Sequence, residues 1–394
     1  MSGVPLSRTS SPSSPSSRDS AEAVRSEDEF DVGAAASWIR ANIGAPRLRI
    51  LLNDLPTVTQ FSGGASNLTY LLTYPSGARM ILRRPPTGRK SVGAHNMSRE
   101  FRLQKKLHPH FPLIAEPYAL CEDSGVIGNP FYVMEYVSGP IARRELPQRL
   151  TEDPRAVSIL CRRVVDILID LHAVPVEDAR LSEVDRGGGY VARQVEGWAA
   201  RYAEARTRNV GSFATVVEWL RAHRPEDLPS VIVHNDFRFD NIVLQPEDPT
   251  VPKALLDWEM ATVGDPLMDL GGALAYWVQA DDGWLFRRFR RQPTHVPGMM
   301  TRREVIAYYS SRTGLTVTEE QWSFYEVFGL FRLAAICQQI YYRYYHRQTT
   351  NSSFRFFGIA VVALELRCRR IIRRIERQRR RGTADSPIVS GRPR

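Results

Sequence analysis

The segment His234-Asn235-Asp236-Phe237-Arg238-Phe239-Asp240-Asn241 places a His, an Asp and an Asn in the spacing H-x-D-x-x-x-x-N, and Asp257 follows the apolar run Ala254-Leu255-Leu256. Phosphoryl transfer needs such parts: one carboxylate to orient and deprotonate an attacking hydroxyl, and oxygen ligands that hold Mg²⁺ against phosphates. Asp236 fits the first role, and Asn241 with Asp257 fits the second. The spacing alone arises by chance in roughly one chain in fifty of this length, so its weight comes from the strand-terminal Asp downstream and the strands on either side. His234 fits a general base, or a brace that hydrogen-bonds the loop backbone or the metal-binding Asp. Asp265 reads as the N-cap of a helix opening at Pro266, and Asp269 as a brace for the loop.

A second set of residues lies nearer the N-terminus. In Ser62-Gly63-Gly64-Ala65-Ser66-Asn67 the paired glycines let backbone N–H groups, with Ser66 and Asn67 beside them, approach anionic oxygens without a Cβ in the way. The bland alternative is an ordinary hairpin turn. Arg83 closes a predicted strand and Glu100 lies on the following helix, a cation and acid pair of the kind that clamps nucleotide phosphates in kinases. Lys is usual at such a position. Arg brings a planar fork that takes two oxygens at once, and Arg84 is the alternative clamp.

The elements that must position these residues follow from periodicity and turn residues. A helix over Ala34–Ile43 precedes a hairpin, Leu68–Tyr74 and Arg79–Arg83, turned by Pro75-Ser76-Gly77. A helix over Ser98–Leu107 and a strand over Phe131–Tyr136 lead to the linker Ser138-Gly139-Pro140. Beyond it helices dominate, at Asp153–His172, Val191–Arg206, Phe213–His223 and from Pro266 to about Arg377, with a long segment over Glu319–His346. Short strands at Val231–Val233, Ile242–Leu244 and Ala254–Leu256 frame the loop. The expectation is an α+β, bilobal, protein-kinase-like fold: a small sheet-rich N-terminal lobe over residues 30–139 and a larger helical lobe over 140–378. A Ser/Pro-rich disordered segment over 1–29 and a basic disordered tail over 379–394 flank them.

Composition narrows the classes. The 394 residues are 43% hydrophobic, ample for a core. Cys121, Cys161, Cys337 and Cys368 stand far apart with no C-x-x-C pair, which points to neither a zinc ribbon nor a disulfide framework. The net charge of +10 sits almost entirely in the stretch from Arg367 to Arg394, with eleven arginines against Glu376 and Asp385, so it reads as a solvated helix end and not as a nucleic-acid surface. No apolar run approaches the roughly 18 residues of a membrane span, and the N-terminus has no apolar signal core, so a cytoplasmic protein is expected.

Phe61–Tyr70, Ile81-Leu82-Arg83-Arg84-Pro85-Pro86, Phe131–Tyr136, the Asp236 loop, Leu256–Pro266 and Phe331-Arg332-Leu333-Ala334 together resemble the aminoglycoside-phosphotransferase family. They are closest to its branch related to kinase domains fused to some acyl-CoA dehydrogenases, and the likeness runs from about Ile43 to Arg367. It implies transfer of the γ-phosphoryl of ATP (or GTP), with Mg²⁺, to a small-molecule hydroxyl. Asp236 and His234 would belong to the catalytic loop, Asn241 and Asp257 to the metal, and Gly63, Gly64, Ser66, Asn67, Arg83, Glu100 and Glu135 to the nucleotide. An Arg at position 83 is usual in that branch. The family commonly has Gly where this chain has Asn235, a residue that tolerates unusual backbone angles.

Two other functions compete: a metal-dependent phosphohydrolase with His234, Asp236 and Asp257 as direct ligands, and a non-catalytic kinase-like binding module. For the acceptor, residues 270–365 hold eleven arginines, no lysine and seven acids, which favours an anionic molecule over a polycationic aminoglycoside. Arg332, Gln339, Arg343 and His346 recur at helical spacing beside Tyr341 and Tyr342 and are the candidate acceptor contacts. The alternative for Arg332 is a pairing inside the helical core. The resemblance points in the same direction as the charge, toward hydroxyacyl-CoA thioesters.

Overall fold

Strand and helix patterning resolves into two units in the computed structural model, which describes residues 21–61, 67–86, 97–179, 181, 184–349 and 351–388. The first unit comprises Met1–Phe101 with Glu116–Tyr136, and the second Arg102–Ala115 with Val137–Arg394.

In the first unit the strands are β1 (Ala21–Glu22), β2 (Thr57–Phe61), β3 (Leu68–Thr73), β4 (Arg79–Arg84), β5 (Pro117–Cys121) and β6 (Phe131–Glu135), forming one antiparallel sheet in the order β1-β2-β3-β4-β6-β5. β3 alternates strictly: Leu68, Tyr70 and Leu72 are buried while their neighbours are half-exposed, the period-two pattern of a strand with one face on a core. The turn from β3 to β4 closes through Gly77 at φ +84°, whose N–H donates to Tyr74 O at 2.9 Å. Helix α1 (Val32–Asn42), capped by Asp31 through Ala34 N at 2.8 Å, contributes Ile39 to the same core as Tyr70, Leu82 and Phe131. A short α2 (Pro46–Leu51) and the start of α3 (Met97–Leu107) complete the helices.

Two expectations are corrected here. Composition assigns residues 21–29 to a disordered segment, yet Ala21 and Glu22 pair with Phe61 and Gln60, and Asp28 is buried. Asp28 Oδ2 accepts from Gln60 Nε2 at 2.9 Å, and its carbonyl accepts from Tyr70 Oη and Arg84. Polar composition conceals this order because it rests on backbone pairing and buried hydrogen bonds, not on apolar side chains. Arg84, the alternative phosphate clamp, is 1% exposed and spends its guanidinium on Asp28 O and Tyr70 Oη. Of the paired arginines it is the structural one.

The second unit holds α4 (Gln148–Thr151), α5 (Pro154–Ala173), α6 (Tyr190–Ala205), α7 (Ala214–Ala222), α8 (Pro266–Ala275), α9 (Trp284–Phe289), α10 (Arg302–Thr313), α11 (Glu319–Tyr345) and α12 (Phe357–Arg380). Two antiparallel ladders are inserted between α7 and α8: β7 (Val231–Val233) with β10 (Thr262–Gly264), and β8 (Ile242–Leu244) with β9 (Pro252–Leu255). Asp153 caps α5 through Arg155 N at 2.8 Å, with Pro154 at the first helical position, and Leu160, Val164, Leu168 and Leu171 form its buried stripe. α11 begins with a capping box, Thr318 with Gln321, and packs on α8, α6 and α12. Where α8 and α11 meet, only glycine fits: a Cβ on Gly329 would lie 2.2 Å from Gly271 O, and one on Gly271 would lie 2.7 Å from Tyr325 O.

The tail, expected to be disordered from residue 379, is ordered through Ile388. After α12 the chain turns back so that Glu319 N and Glu320 N donate to Ser386 O and Ala384 O at 3.0 Å each, and Ile388 N donates to Val317 O at 2.8 Å. Ala384 and Ile388 are buried. Arg380 and Arg381 are exposed and Arg379 pairs with Glu320 and Glu376, and the basic composition of the stretch masks two apolar residues that serve the core.

Candidate active site

The loop after β7 is shaped by one buried carboxylate. Asp269, on the first turns of α8, accepts from His234 N at 2.6 Å and His172 Nε2 at 3.3 Å through Oδ2, and from Asn235 N at 2.8 Å through Oδ1. Burial pushes its carboxyl up, but the His172 hydrogen bond and the loop's N–H groups more than offset that and hold it below the ordinary value. Asp269 therefore braces the loop, as its sequence position predicts. Asp265 is the α8 N-cap, accepting from Leu267 N at 2.8 Å and Met268 N at 3.1 Å.

Asn235 sits at φ +62°, and Asp257 at φ +69°. These are two of the four non-glycine residues with positive φ among the described residues, each a local cost of about 1–3 kcal/mol that the surrounding bonds must hold. Asn235 suits its place: Oδ1 accepts from Tyr190 Oη at 3.1 Å, Nδ2 donates to Met260 O at 3.1 Å, and its carbonyl accepts from Arg332. The loop forms without the glycine usual there.

Asp236 follows Asn235 on the loop, with its side chain 18% exposed. Arg238 Nη2 donates to Asp236 Oδ2 at 3.1 Å and Asn241 Nδ2 to the same oxygen at 3.2 Å, so the side-chain donors among the described residues converge on Oδ2, and Oδ1 has the capacity to accept a further hydrogen bond. Burial raises the Asp236 pKa, with Arg238 pulling it back and Asp257 pushing it further up. Asn241 also donates to Asp236 O at 2.8 Å; since its amide nitrogen faces Asp236, its Oδ1 is directed elsewhere as an acceptor. The β8–β9 register pairs Ile242 with Leu255, and Leu256 N donates to Asn241 O at 2.8 Å, which brings Asp257 beside Asn241. One amide oxygen and one carboxylate make a hard, oxygen-only donor set that fits Mg²⁺ sharing its shell with phosphates and water.

His234 is fully buried and both ring nitrogens are committed. Nδ1 accepts from Asp236 N at 3.2 Å, so the proton lies on Nε2, which donates to Leu256 O at 3.1 Å. Burial lowers its pKa. It ties the Asp236 turn to the strand before Asp257, and it is placed as a brace, with neither nitrogen presented as a base or a metal ligand. Sequence reasoning missed Arg238, although it stands two residues after Asp236. It lies 4.9 Å over the Tyr276 ring and pairs with Asp240 at 3.4 Å. A cation inside the motif was the available signal.

Among the acceptor candidates, Arg332 is 6% exposed, holds Asn235 O and stacks 5.1 Å over Trp198, so the pairing alternative for it is the one observed. Gln339 is half-buried and Arg343 exposed; they lie seven and eleven residues further along α11, about 10 and 16 Å by helical rise. Tyr341 is corrected: nine residues past Arg332 is half a turn out of phase, and Tyr341 is buried with its hydroxyl accepting from Asn209 at 2.8 Å. In the first unit Arg83 pairs with Glu100 at 3.2 Å, and Tyr132 Oη donates to Glu100 at 3.0 Å. Glu135, at the end of β6, accepts from Glu116 N at 3.3 Å, and Asn67 is buried at the head of β3. Gly63, Gly64 and Ser66 lie outside the described residues.

The profile of the phosphotransferase enzyme family (APH) matches residues 57–305. Acyl-CoA dehydrogenase family member 11 of Mus musculus is 34% identical over 332 residues, which cover 82% of this chain and 40% of that protein. Family member 10 of the same organism is 33% identical over 295 residues, 75% of this chain and 27% of that protein. The chain thus spans well under half the length of these curated relatives. A protein of Ralstonia eutropha solved as a candidate aminoglycoside phosphotransferase superposes with a TM-score of 0.70 at 29% identity, over 86% of this chain and 96% of that one. Choline kinase of Cryptosporidium parvum shares the fold, with a TM-score of 0.56 at 11% identity over 90% and 98% of the two chains. With more than half of its length matched, the chain belongs to the APH phosphotransferase family, has that family's protein-kinase-like α+β fold, and is a phosphotransferase that acts on hydroxyl groups.

Proposed function

We propose that this protein transfers the γ-phosphoryl of ATP (or GTP) to the hydroxyl of a hydroxyacyl-CoA or similar anionic alcohol, with Asp236 as the base. The observation that carries this reading is the convergence of Arg238 and Asn241 on Asp236 Oδ2, which leaves Oδ1 for the acceptor. The acceptor hydroxyl gives its proton to Oδ1 as its oxygen bonds to the γ-phosphorus and the bridge to the β-phosphate breaks. Asn241 Oδ1 and Asp257 are the ligands for Mg²⁺, whose chemistry when bound is to neutralise charge on the phosphate oxygens. Arg83, held by Glu100, is the candidate phosphate contact of the first unit.

The acceptor class rests on charge and kinship: the arginine-rich, lysine-free stretch over residues 270–365, and relatives whose names carry acyl-CoA. Gln339 and Arg343 line up along α11 beyond Arg332, and their spacing suits an extended molecule better than a compact sugar. The hydrolase alternative needs His234 as a metal ligand, and both its nitrogens are occupied by backbone groups. Assaying the purified protein with ATP and Mg²⁺ against hydroxyacyl-CoAs and aminoglycosides tests the reading. Phosphorylation of thioesters is expected; robust transfer to kanamycin-like acceptors with none to thioesters would overturn the acceptor class.

A further inference from the structure

The carboxylate that shapes the loop is held in turn by a pair of residues from two other helices. His172 lies in the last turn of α5 and is buried; its Nε2 is 3.3 Å from Asp269 Oδ2 and its Nδ1 is 2.7 Å from Tyr309 Oη on α10. The two rings meet edge to face at 5.8 Å. Tyr309 is itself 1% exposed, so no part of this chain of contacts is open to solvent exchange of partners.

The hydrogens along it can be assigned from the ends. Asp269 is an acceptor only, because its Oδ2 already takes His234 N and its Oδ1 takes Asn235 N. The group facing it must donate, so Nε2 of His172 carries the proton. Nδ1 faces the Tyr309 hydroxyl, which has no other hydrogen-bond partner among the described residues and so has Nδ1 alone to donate to. With the opposite tautomer, two acceptors would face each other across a buried 3.3 Å gap at Asp269, at the cost of an unmet buried carboxylate oxygen.

We propose that His172 and Tyr309 are positioning residues for phosphoryl transfer: by fixing the Asp269 carboxylate in place and orientation, they set the turn at His234 and Asn235 that aims Asp236. Neither touches the reacting groups. The inference rests on the reading of Asp236 as the base, and it adds to that reading a connection from α5 and α10 to the loop that no motif in the sequence signals. The contacts of α10 with α5 support it as a built feature: Tyr308 Oη and Arg312 Nη1 both donate to Asp166 Oδ1 at 2.8 Å, which locks α10 against α5 one residue from Tyr309.

Three substitutions in the full chain separate positioning from packing. His172→Leu removes both hydrogen bonds at similar volume, His172→Gln keeps an amide N–H able to reach Asp269, and Tyr309→Phe removes only the hydroxyl. His172→Leu is expected to lower kcat about tenfold or more, since small misplacements of a catalytic group have effects of this size or larger, with KM for nucleotide within about twofold. His172→Gln should recover most of the lost kcat, and Tyr309→Phe should fall between it and the wild type. Two readouts do not depend on activity. Long-range ¹⁵N–¹H spectra of the wild type should show a proton on His172 Nε2, and amide exchange at His234 and Asn235 should accelerate in His172→Leu before global unfolding does.

Wild-type kcat in folded His172→Leu, no advantage of Gln over Leu, or a His172 whose Nε2 carries no proton would each overturn the proposal. A wild type that transfers no phosphoryl group, yet shows the proton on Nε2 and the faster exchange in His172→Leu, would instead refute the assignment of Asp236 and leave the positioning of the loop established.

Discussion

Replacing Asp236 with Asn separates chemistry from stability in one variant. Asn is nearly isosteric and its amide oxygen can still accept from Arg238 Nη2 and Asn241 Nδ2, now at 3.1 and 3.2 Å from Oδ2, so the loop should keep its shape. What is lost under the proposed mechanism is the basic oxygen for the hydroxyl proton, a contribution of about 10²–10⁴ in kcat, equivalent to about 3–5 kcal/mol of transition-state stabilisation. The stability effect runs the other way. Burial raises the Asp236 pKa above its unfolded value, so the carboxyl contributes stability below the unfolded pKa, and this is lost as pH rises through the folded pKa. Asn does not titrate. The melting temperature of Asp236→Asn minus that of the wild type should therefore grow as pH rises from about 4, the ordinary carboxyl value, through the folded pKa. Every tenfold by which folding weakens the acidity of this carboxyl is worth about 1.4 kcal/mol once the group is fully ionised. Turnover by coupled ADP release and calorimetric melting across that range measure both. Near-normal kcat in the folded variant removes Asp236 from the mechanism, and a melting difference that shrinks with rising pH contradicts the electrostatic account of the site.

Asp257→Ala should weaken Mg²⁺-dependent nucleotide binding because it removes the carboxylate proposed to hold the metal, and unchanged Mg²⁺ dependence in titration calorimetry would remove that assignment. Asn235→Ala should destabilise by about 1–3 kcal/mol in denaturant melts, since a positive φ is kept without the bonds to Tyr190 and Met260; no loss would mean that the turn relaxes elsewhere. Gly329→Ala forces a Cβ to within 2.2 Å of Gly271 O and should cost about 1–3 kcal/mol, with kcat falling because Arg332 shifts on the loop; full activity at wild-type stability would show that α8 and α11 can part freely. Ile388→Ala should lower stability by about 2–4 kcal/mol while leaving kcat per folded molecule unchanged, and truncation after Arg381 should do the same more severely; loss of turnover in folded truncated protein would give the tail a part in chemistry.

The Asp236 loop stands out in the sequence by residue types at fixed spacing, and three of the four strands around it, all but Thr262–Gly264, are legible as short apolar runs bounded by turns. α5, α6, α7 and α11 can be read to within a residue or two, since their apolar stripes continue over several turns, whereas the single helical stretch expected from Pro266 to about Arg377 breaks after α8, α9, α10 and α11. Where periodicity is short the sequence is silent: Thr57–Phe61 and Pro117–Cys121 are five-residue strands, and α2 buries none of its residues. Tyr341 falls on the wrong face when proximity in sequence is taken for proximity around the helix. Arg238 is easily passed over as part of a motif whose other members have evident uses. The order of residues 21–29 and 384–388 comes from backbone pairing with distant segments, and that has no local signature at all.

The loop that carries Asp236 is held by contacts from far along the chain: Tyr190 on α6, Asp269 on α8 and Arg332 on α11, with His172 on α5 behind them. None of these helices can hold the Asp236 loop in place until the others have docked, and Arg332 lies 97 positions from the carbonyl it holds. Such separation makes the loop among the last parts to become native, because distant contacts pay their closure entropy before they return any energy. On refolding, helical signal should therefore recover ahead of turnover. The recovery of catalysis, and not of secondary structure, would time the final assembly of the helical unit.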